Sequence, residues 1–265
     1  MNWIKKRNHI QIMGSGTEPI IFAHGYGCDQ TMWRLLTPDF VASHRIILYD
    51  HVGAGHSDLS AYSSDKYATL SGYAEDLIEI VDALNLSEAV FVGHSVSSII
   101  GVLAAKARPG LFSKLIMIGP SPCYLNDEDY QGGFDAADID GLLELLDQNH
   151  LGWSATMAPT IMGNPDRPEL AEELKNSFCR TDPDIAKEFA RVTFRSDNRS
   201  DLADLHAPTL VLQCSEDAIA PEVVGKFVSA TLPNATYHKL SATGHCPHLS
   251  HPKETADAIH DFLSQ

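Results

Sequence analysis

Short, continuously apolar runs alternate with amphipathic stretches along most of the chain. The runs fall at residues 19–23 (PIIFA), 45–49 (RIILY), 89–92 (AVFV), 114–118 (KLIMI) and 209–213 (TLVLQ), with a weaker one at 236–239. Apolar side chains on both parities, rather than on every second position, are the mark of strands buried on both faces of a parallel sheet. Between the runs, Tyr73, Leu77, Ile80, Val81 and Leu84 repeat at helical spacing, and residues 96–107 are rich in Ala, Ile and Leu. Segments 221–231 and 252–263 each open on a proline, a favoured first-turn residue. Strands alternating with helices predict an α/β fold with a doubly wound, mostly parallel sheet. The alternation stops between residues 122 and 194. Four helical segments are predicted there, at 136–148, 153–162, 168–180 and 182–193, separated by Gly132-Gly133, Gly152 and Asn164-Pro165. The chain therefore divides into a core of residues 1–121 and 195–265 and an inserted four-helix cap of residues 122–194.

Composition narrows the function. The 265 residues suit one α/β domain with an insertion. Nineteen basic against 35 acidic residues give a formal charge of −16, a field that repels phosphate backbones and anionic lipid, so neither nucleic acid nor a membrane surface is an expected partner. No segment approaches the ~20 apolar residues of a membrane span, and no signal-peptide pattern follows the N-terminal charges. The five cysteines are scattered, with no Cys-x-x-Cys, and read as reduced thiols of a cytoplasmic protein.

The most informative stretch is Val90-Phe91-Val92-Gly93-His94-Ser95-Val96-Ser97-Ser98, a strand, a tight turn and the start of a helix. A serine at such a turn has a strained backbone, and the residues two before and two after it must be small because they press together. Gly93 and Ser97 meet that need, although the usual last residue of the pattern is glycine. Ser95 then lies at a helix N-terminus, where free N–H groups favour developing negative charge. A serine hydroxyl needs a base, and in this arrangement the acid and then the histidine follow the serine in the chain. Asp217 follows the strand at 209–213, with Glu216 beside it as the alternative acid. His245 follows the strand at 236–239. His248 and His251 read as ordinary loop or helix-cap residues; no carboxylate or cysteine set stands at ligand spacing, so no metal is expected. Nor does any motif call for a cofactor. Ala23-His24-Gly25-Tyr26-Gly27 ends another strand, and the N–H groups of Tyr26 and Val96 are the candidate oxyanion donors. Asp50-His51-Val52-Gly53-Ala54-Gly55 matches no nucleotide-binding spacing and reads as a structural turn.

Taken together, residues 22–33 (FAHGYGCDQTMW), 49–59 (YDHVGAGHSDL), 91–101 (FVGHSVSSIIG), 121–134 (SPCYLNDEDYQGGF), the Asp217/Pro221 loop and 244–252 (GHCPHLSHP) give a resemblance. The chain resembles, essentially end to end, the α/β-hydrolases that include the bacterial stress-response regulator RsbQ and the plant karrikin and strigolactone receptors. Ser97 at the elbow is also what the plant members look like. The resemblance implies a triad of Ser95, Asp217 and His245 with Tyr26 and Val96 as oxyanion donors. It implies a V-shaped cap over an apolar pocket lined by Tyr26, Tyr124, Phe134 and Trp153, together with Met157, Phe194 and Ile219. Several of these positions are aromatic in the plant receptors; Met157 and Ile219 depart from that pattern.

The expected function is an esterase or lactonase acting on a small apolar ligand, with a signalling or stress-regulatory role and a downstream protein partner. The alternative is a dedicated metabolic hydrolase of an ester or carbon–carbon bond, with no such partner. Dehalogenases and epoxide hydrolases of this fold carry a carboxylate where this chain has Ser95, and the cofactor-free haloperoxidases usually carry an aromatic residue where it has Val96.

Overall fold

A computed structural model describes residues 2–265. Its strands are β1 (Gln11–Met13), β2 (Glu18–Ala23), β3 (His44–Tyr49), β4 (Ala89–His94), β5 (Phe112–Ile118), β6 (Thr209–Gln213) and β7 (Ala235–Lys239). They form one sheet in the order β1-β3-β2-β4-β5-β6-β7. Every pairing is parallel except that of β1 with β3. The fold is that of the α/β-hydrolases.

Consecutive strand residues point to opposite faces, and both faces are covered. Ile21, Ile47, Phe91, Leu115 and Val211 pack on one side, against α2 (Leu70–Ala83), α3 (Val96–Ala107) and α8 (Glu222–Thr231). Ile20, Ile46, Val92, Ile116 and Leu210 pack on the other, against Trp33 and the Ile259/Phe262 face of α10 (Pro252–Leu263). Double burial is why the strands read as unbroken apolar runs. The two short elements without that signature are β1, all of whose residues are exposed, and the charged helix α1 (Asn2–Arg7). Neither was expected from the sequence.

Between β5 and β6 lie α4 (Ala136–Gln148), α5 (His150–Met162), α6 (Pro168–Arg180) and α7 (Pro183–Arg195). Local chemistry starts each one. Asp135 and Asp138 form a reciprocal capping box on α4, the Asn149 side chain accepts from the Gly152 N–H on α5, and α6 and α7 begin at prolines. A third apolar cluster joins these helices to the core. Trp153, Leu174, Phe178 and Phe194 meet Cys28, Ile219 and Cys246, which come from loops at the carboxyl ends of the parallel strands. The candidate site lies at this seam, with α9 (Pro247–Ser250) beside it.

Candidate active site

Ser95 joins β4 directly to α3 with φ 56° and ψ −125°, a conformation that favours glycine. Three features hold it there. Its N–H donates to the Ile118 carbonyl at 2.8 Å, at the end of β5, and the Ser98 hydroxyl donates to the Gly93 carbonyl at 2.8 Å. A Cβ at Gly93 would lie 2.7 Å from the Ser97 backbone, which explains why a glycine precedes the turn. The result is a serine hydroxyl aimed off the sheet edge, 5% exposed, against the cap.

Two more strand ends bring side chains to it. The loop after β7 carries His245, whose Nε2 lies 2.8 Å from Ser95 Oγ. The loop after β6 carries Asp217, whose Oδ2 lies 2.7 Å from His245 Nδ1. An ionised carboxylate only accepts, so Nδ1 carries the imidazole proton and Nε2 is free to accept from the serine hydroxyl. Asp217 Oδ1 is held separately, by the N–H groups of Ile219 at 2.8 Å and Ala220 at 3.0 Å. The neighbouring Glu216 is exposed, and only its backbone is engaged here: its carbonyl accepts from the Gly244 N–H at 2.7 Å. Of the two acids that the sequence left open, Asp217 is therefore the one that meets His245. The base loop is fixed to its surroundings: the His245 N–H donates to the Ile161 carbonyl of α5, and His94 Nε2 donates to the His245 carbonyl at 2.8 Å.

The Tyr26 loop closes on the same point. A Cβ on Gly25 would lie 3.4 Å from the Ser95 Cβ and 2.6 Å from His94 Nδ1, so only a glycine lets this backbone approach. Tyr26 anchors its side chain in the cap, where its hydroxyl donates to the Ala186 carbonyl at 3.1 Å and its ring meets Trp153 and Phe178.

The cavity above Ser95 has a volume of about 30 Å³. Its walls include Tyr26, Tyr124, Phe194 and Ile219, four of the residues expected to line a pocket. The other three stand behind the wall rather than on it. Trp153 packs against Phe178 at 5.2 Å, Phe134 lies behind Tyr124 at 6.4 Å, and Met157 is part of the cap cluster. The inner position is occupied instead by Leu174 and Phe178 of α6. Their i, i+4 spacing with Leu170 is an amphipathic signal readable in the sequence. Thr193 also lines the cavity; the residue is 1% exposed, and its hydroxyl, like Nδ1 of His94 in the same lining, has no hydrogen-bond partner among the described residues. Cys28 and Cys246 also line the cavity, but burial pushes both thiols upward and keeps them protonated, so neither is an activated thiolate. Burial pushes the Tyr124 phenol up to about 12, with the Ser95 hydroxyl beside it acting in the opposite sense.

Residues 20–258 match the model of the alpha/beta hydrolase family. The chain belongs to that family. This α/β-hydrolase is 35% identical to karrikin insensitive 2 receptor CA of Petunia hybrida, over 95% of this chain and 94% of the relative. It is 38% identical to a strigolactone esterase of Arabidopsis thaliana, over 96% of both chains. A solved structure of a hydrolase from Oleispira antarctica superposes with a TM-score of 0.96 and 41% identity, covering 99% of this chain and 97% of that one.

The histidines of the hydrolase sort differently from their sequence appearance. His248, expected as a loop or cap residue, is 1% exposed in α9, with its ring between those of Trp33 and His94. In the turn after β3, read from the sequence as structural, Asp50 accepts from the Gln30 and His56 N–H groups, both at 2.9 Å. Among the described residues no group of three or more His, Cys, Asp and Glu side chains is arranged to hold a metal ion, and no helix is long and apolar enough to cross a membrane.

Proposed function

We propose that this α/β-hydrolase is a serine esterase or lactonase that cleaves a small apolar ester or lactone. Ser95 Oγ attacks the acyl carbon while His245 Nε2 takes the hydroxyl proton. Asp217 holds the imidazole in the required tautomer and stabilises its cationic form. The carbonyl oxygen, now an oxyanion, accepts from the N–H groups of Tyr26 and Val96. His245 returns the proton to the leaving oxygen, and the alcohol departs or, in a lactone, the ring opens. Water activated by His245 then releases the acid from the acyl-enzyme. The observation that carries this reading is the continuous Asp217–His245–Ser95 hydrogen-bond chain at the mouth of a cavity walled mainly by apolar side chains.

A volume of about 30 Å³ has room for roughly two waters. Ligand pockets are typically about ten times larger or more. The substrate is therefore small, or residues 122–194 act as a cap that shifts away from the core, residues 1–121 and 195–265, before it enters. A moving cap would also offer a downstream protein a ligand-dependent surface, and the likeness to a karrikin insensitive receptor and a strigolactone esterase supports such a signalling role.

The direct test is p-nitrophenyl acetate hydrolysis by wild type and Ser95→Ala. Loss of the serine is expected to reduce kcat by at least about 10³-fold. Equal rates would contradict the reading.

A further inference from the structure

Behind the Tyr26 loop lies a buried chain of hydrogen bonds that the mechanism above does not use. It links His24, His51 and Ser97, which are at most 1% exposed. The His51 backbone N–H donates to His24 Nε2 at 3.1 Å. A ring nitrogen that accepts carries no proton, so the His24 proton is on Nδ1. Nδ1–H then donates to the Gly25 carbonyl at 2.9 Å. On the other side, the Ser97 hydroxyl donates to the His24 carbonyl at 2.5 Å and accepts from His51 Nε2 at 2.7 Å. His51 Nε2 also lies 3.2 Å from the His24 carbonyl, so its N–H is shared between two acceptors, and His51 Nδ1 has no hydrogen-bond partner among the described residues. Burial, with His24 acting in the same sense, keeps the His51 pKa well below the ordinary histidine value, so the His51 ring stays neutral near neutral pH.

The Gly25 carbonyl and the Tyr26 N–H belong to one peptide unit. That unit is planar and trans, so its C=O and N–H point in opposite directions, and fixing one fixes the other. The Gly25 carbonyl is held by His24 Nδ1–H, with the Cys28 N–H also donating to it at 3.3 Å. The Tyr26 N–H donates to no acceptor among the described residues. We propose that His24 is a positioning residue for ester cleavage: through the Gly25 carbonyl it aims the Tyr26 N–H at the developing oxyanion, and His51 and Ser97 lock its tautomer and place. Ser97 thereby has a use at the elbow position where glycine is usual. A glycine there would remove the hydroxyl that ties the nucleophile helix to both groups, leaving only the longer 3.2 Å contact between His51 Nε2 and the His24 carbonyl.

The inference rests on the esterase reading above, and steady-state kinetics separate the two. His24→Ala should lower kcat for p-nitrophenyl acetate about 10- to 100-fold with KM within about twofold of wild type, because a misaimed donor weakens the transition state and not the ground state. His24→Asn puts an amide N–H near the place of Nδ1–H and should recover most of that loss. Ser97→Ala, which removes a single oxygen, should lower kcat several-fold at constant KM, and it keeps the proposal testable if His24→Ala does not fold. A small trifluoromethyl ketone, whose adduct with Ser95 carries the same oxyanion, should bind each variant more weakly by the factor lost in kcat. A wild-type kcat in His24→Ala or Ser97→Ala overturns the proposal. So does a change confined to KM, or a His24→Asn variant no better than His24→Ala. Equal hydrolysis by wild type and Ser95→Ala overturns this proposal together with the esterase reading, whereas a dead Ser95→Ala beside a fully active His24→Ala overturns the positioning role alone.

Discussion

His248 shows how an ordinary-looking histidine becomes a determinant of stability. Burial, reinforced by the charges of His245 and Arg34, brings its pKa down to about 3. His51 and His94 are also lowered well below the ordinary value, chiefly by burial. A folded chain that excludes these protons must take them up on unfolding once the pH is below about 6.5, the ordinary histidine value. The stabilising effect is therefore complete above that pH and is lost as the pH falls toward 3. We expect the free energy of unfolding to decline steadily from pH 6.5 to pH 4. In His248→Gln the decline should be shallower by close to one proton, about 1.4 kcal/mol per pH unit. Denaturant titrations at a series of pH values measure both slopes, and identical slopes would show that His248 is not held neutral by the fold. The change in slope is informative even if the substitution lowers stability at every pH.

The elements differ in how far their sequences reveal them. β6 spans Thr209–Gln213 as its apolar run predicts, and α3 spans Val96–Ala107, because burial on both faces of a sheet and on a helix stripe leaves distinct periodicities. β1 left no such trace: its Gln11, Ile12 and Met13 are all exposed, so no face of it had to be apolar. That Ser95, Asp217 and His245 come together in one hydrogen-bond chain was legible because each lies in the turn or loop after a strand run. The cavity wall was less so. An apolar position in a cap helix reads the same whether its side chain borders a cavity or packs behind one, which is why Trp153, Phe134 and Met157 sit one layer further back than expected while Phe178 reaches the front. The hydrogen-bond chain of His24, His51 and Ser97 had no sequence signature, since it joins two loops and the first turn of α3 that are far apart in the chain. Ile219 links the acid loop to the wall: its N–H holds Asp217 Oδ1 and its side chain faces the cavity. Ile219→Ala keeps the N–H and removes three carbons. It should raise the ratio of kcat/KM for p-nitrophenyl butyrate over acetate by about tenfold, at a stability cost of about 2–4 kcal/mol. An unchanged ratio would place the acyl chain elsewhere.

Across the whole molecule, the cap and the core are joined by two kinds of contact with different weight. Arg34 forms two hydrogen bonds with Glu173, at 2.6 and 2.7 Å, Arg180 reaches Asp29 at 3.3 Å, and the Tyr62 hydroxyl donates to Glu188 at 2.8 Å. Such peripheral pairs contribute little each, about 0–1 kcal/mol. The aromatic contacts of Tyr26 with Trp153, Phe178 and Phe194 lie inside the seam and carry more, since each ring buries a large apolar area. In the proposed reading, cap movement has to part or slide this aromatic cluster, and Tyr26, whose N–H is the proposed oxyanion donor, would sense it directly. The proposed chemistry converges on the hydroxyl of Ser95. Intact-mass and peptide spectrometry after exposure to a small fluorophosphonate tests it most directly: one adduct is expected, on the peptide carrying Ser95, absent from Ser95→Ala and formed at least about 10²-fold more slowly in His245→Ala. An unmodified Ser95, or an adduct formed at the wild-type rate without His245, would contradict it.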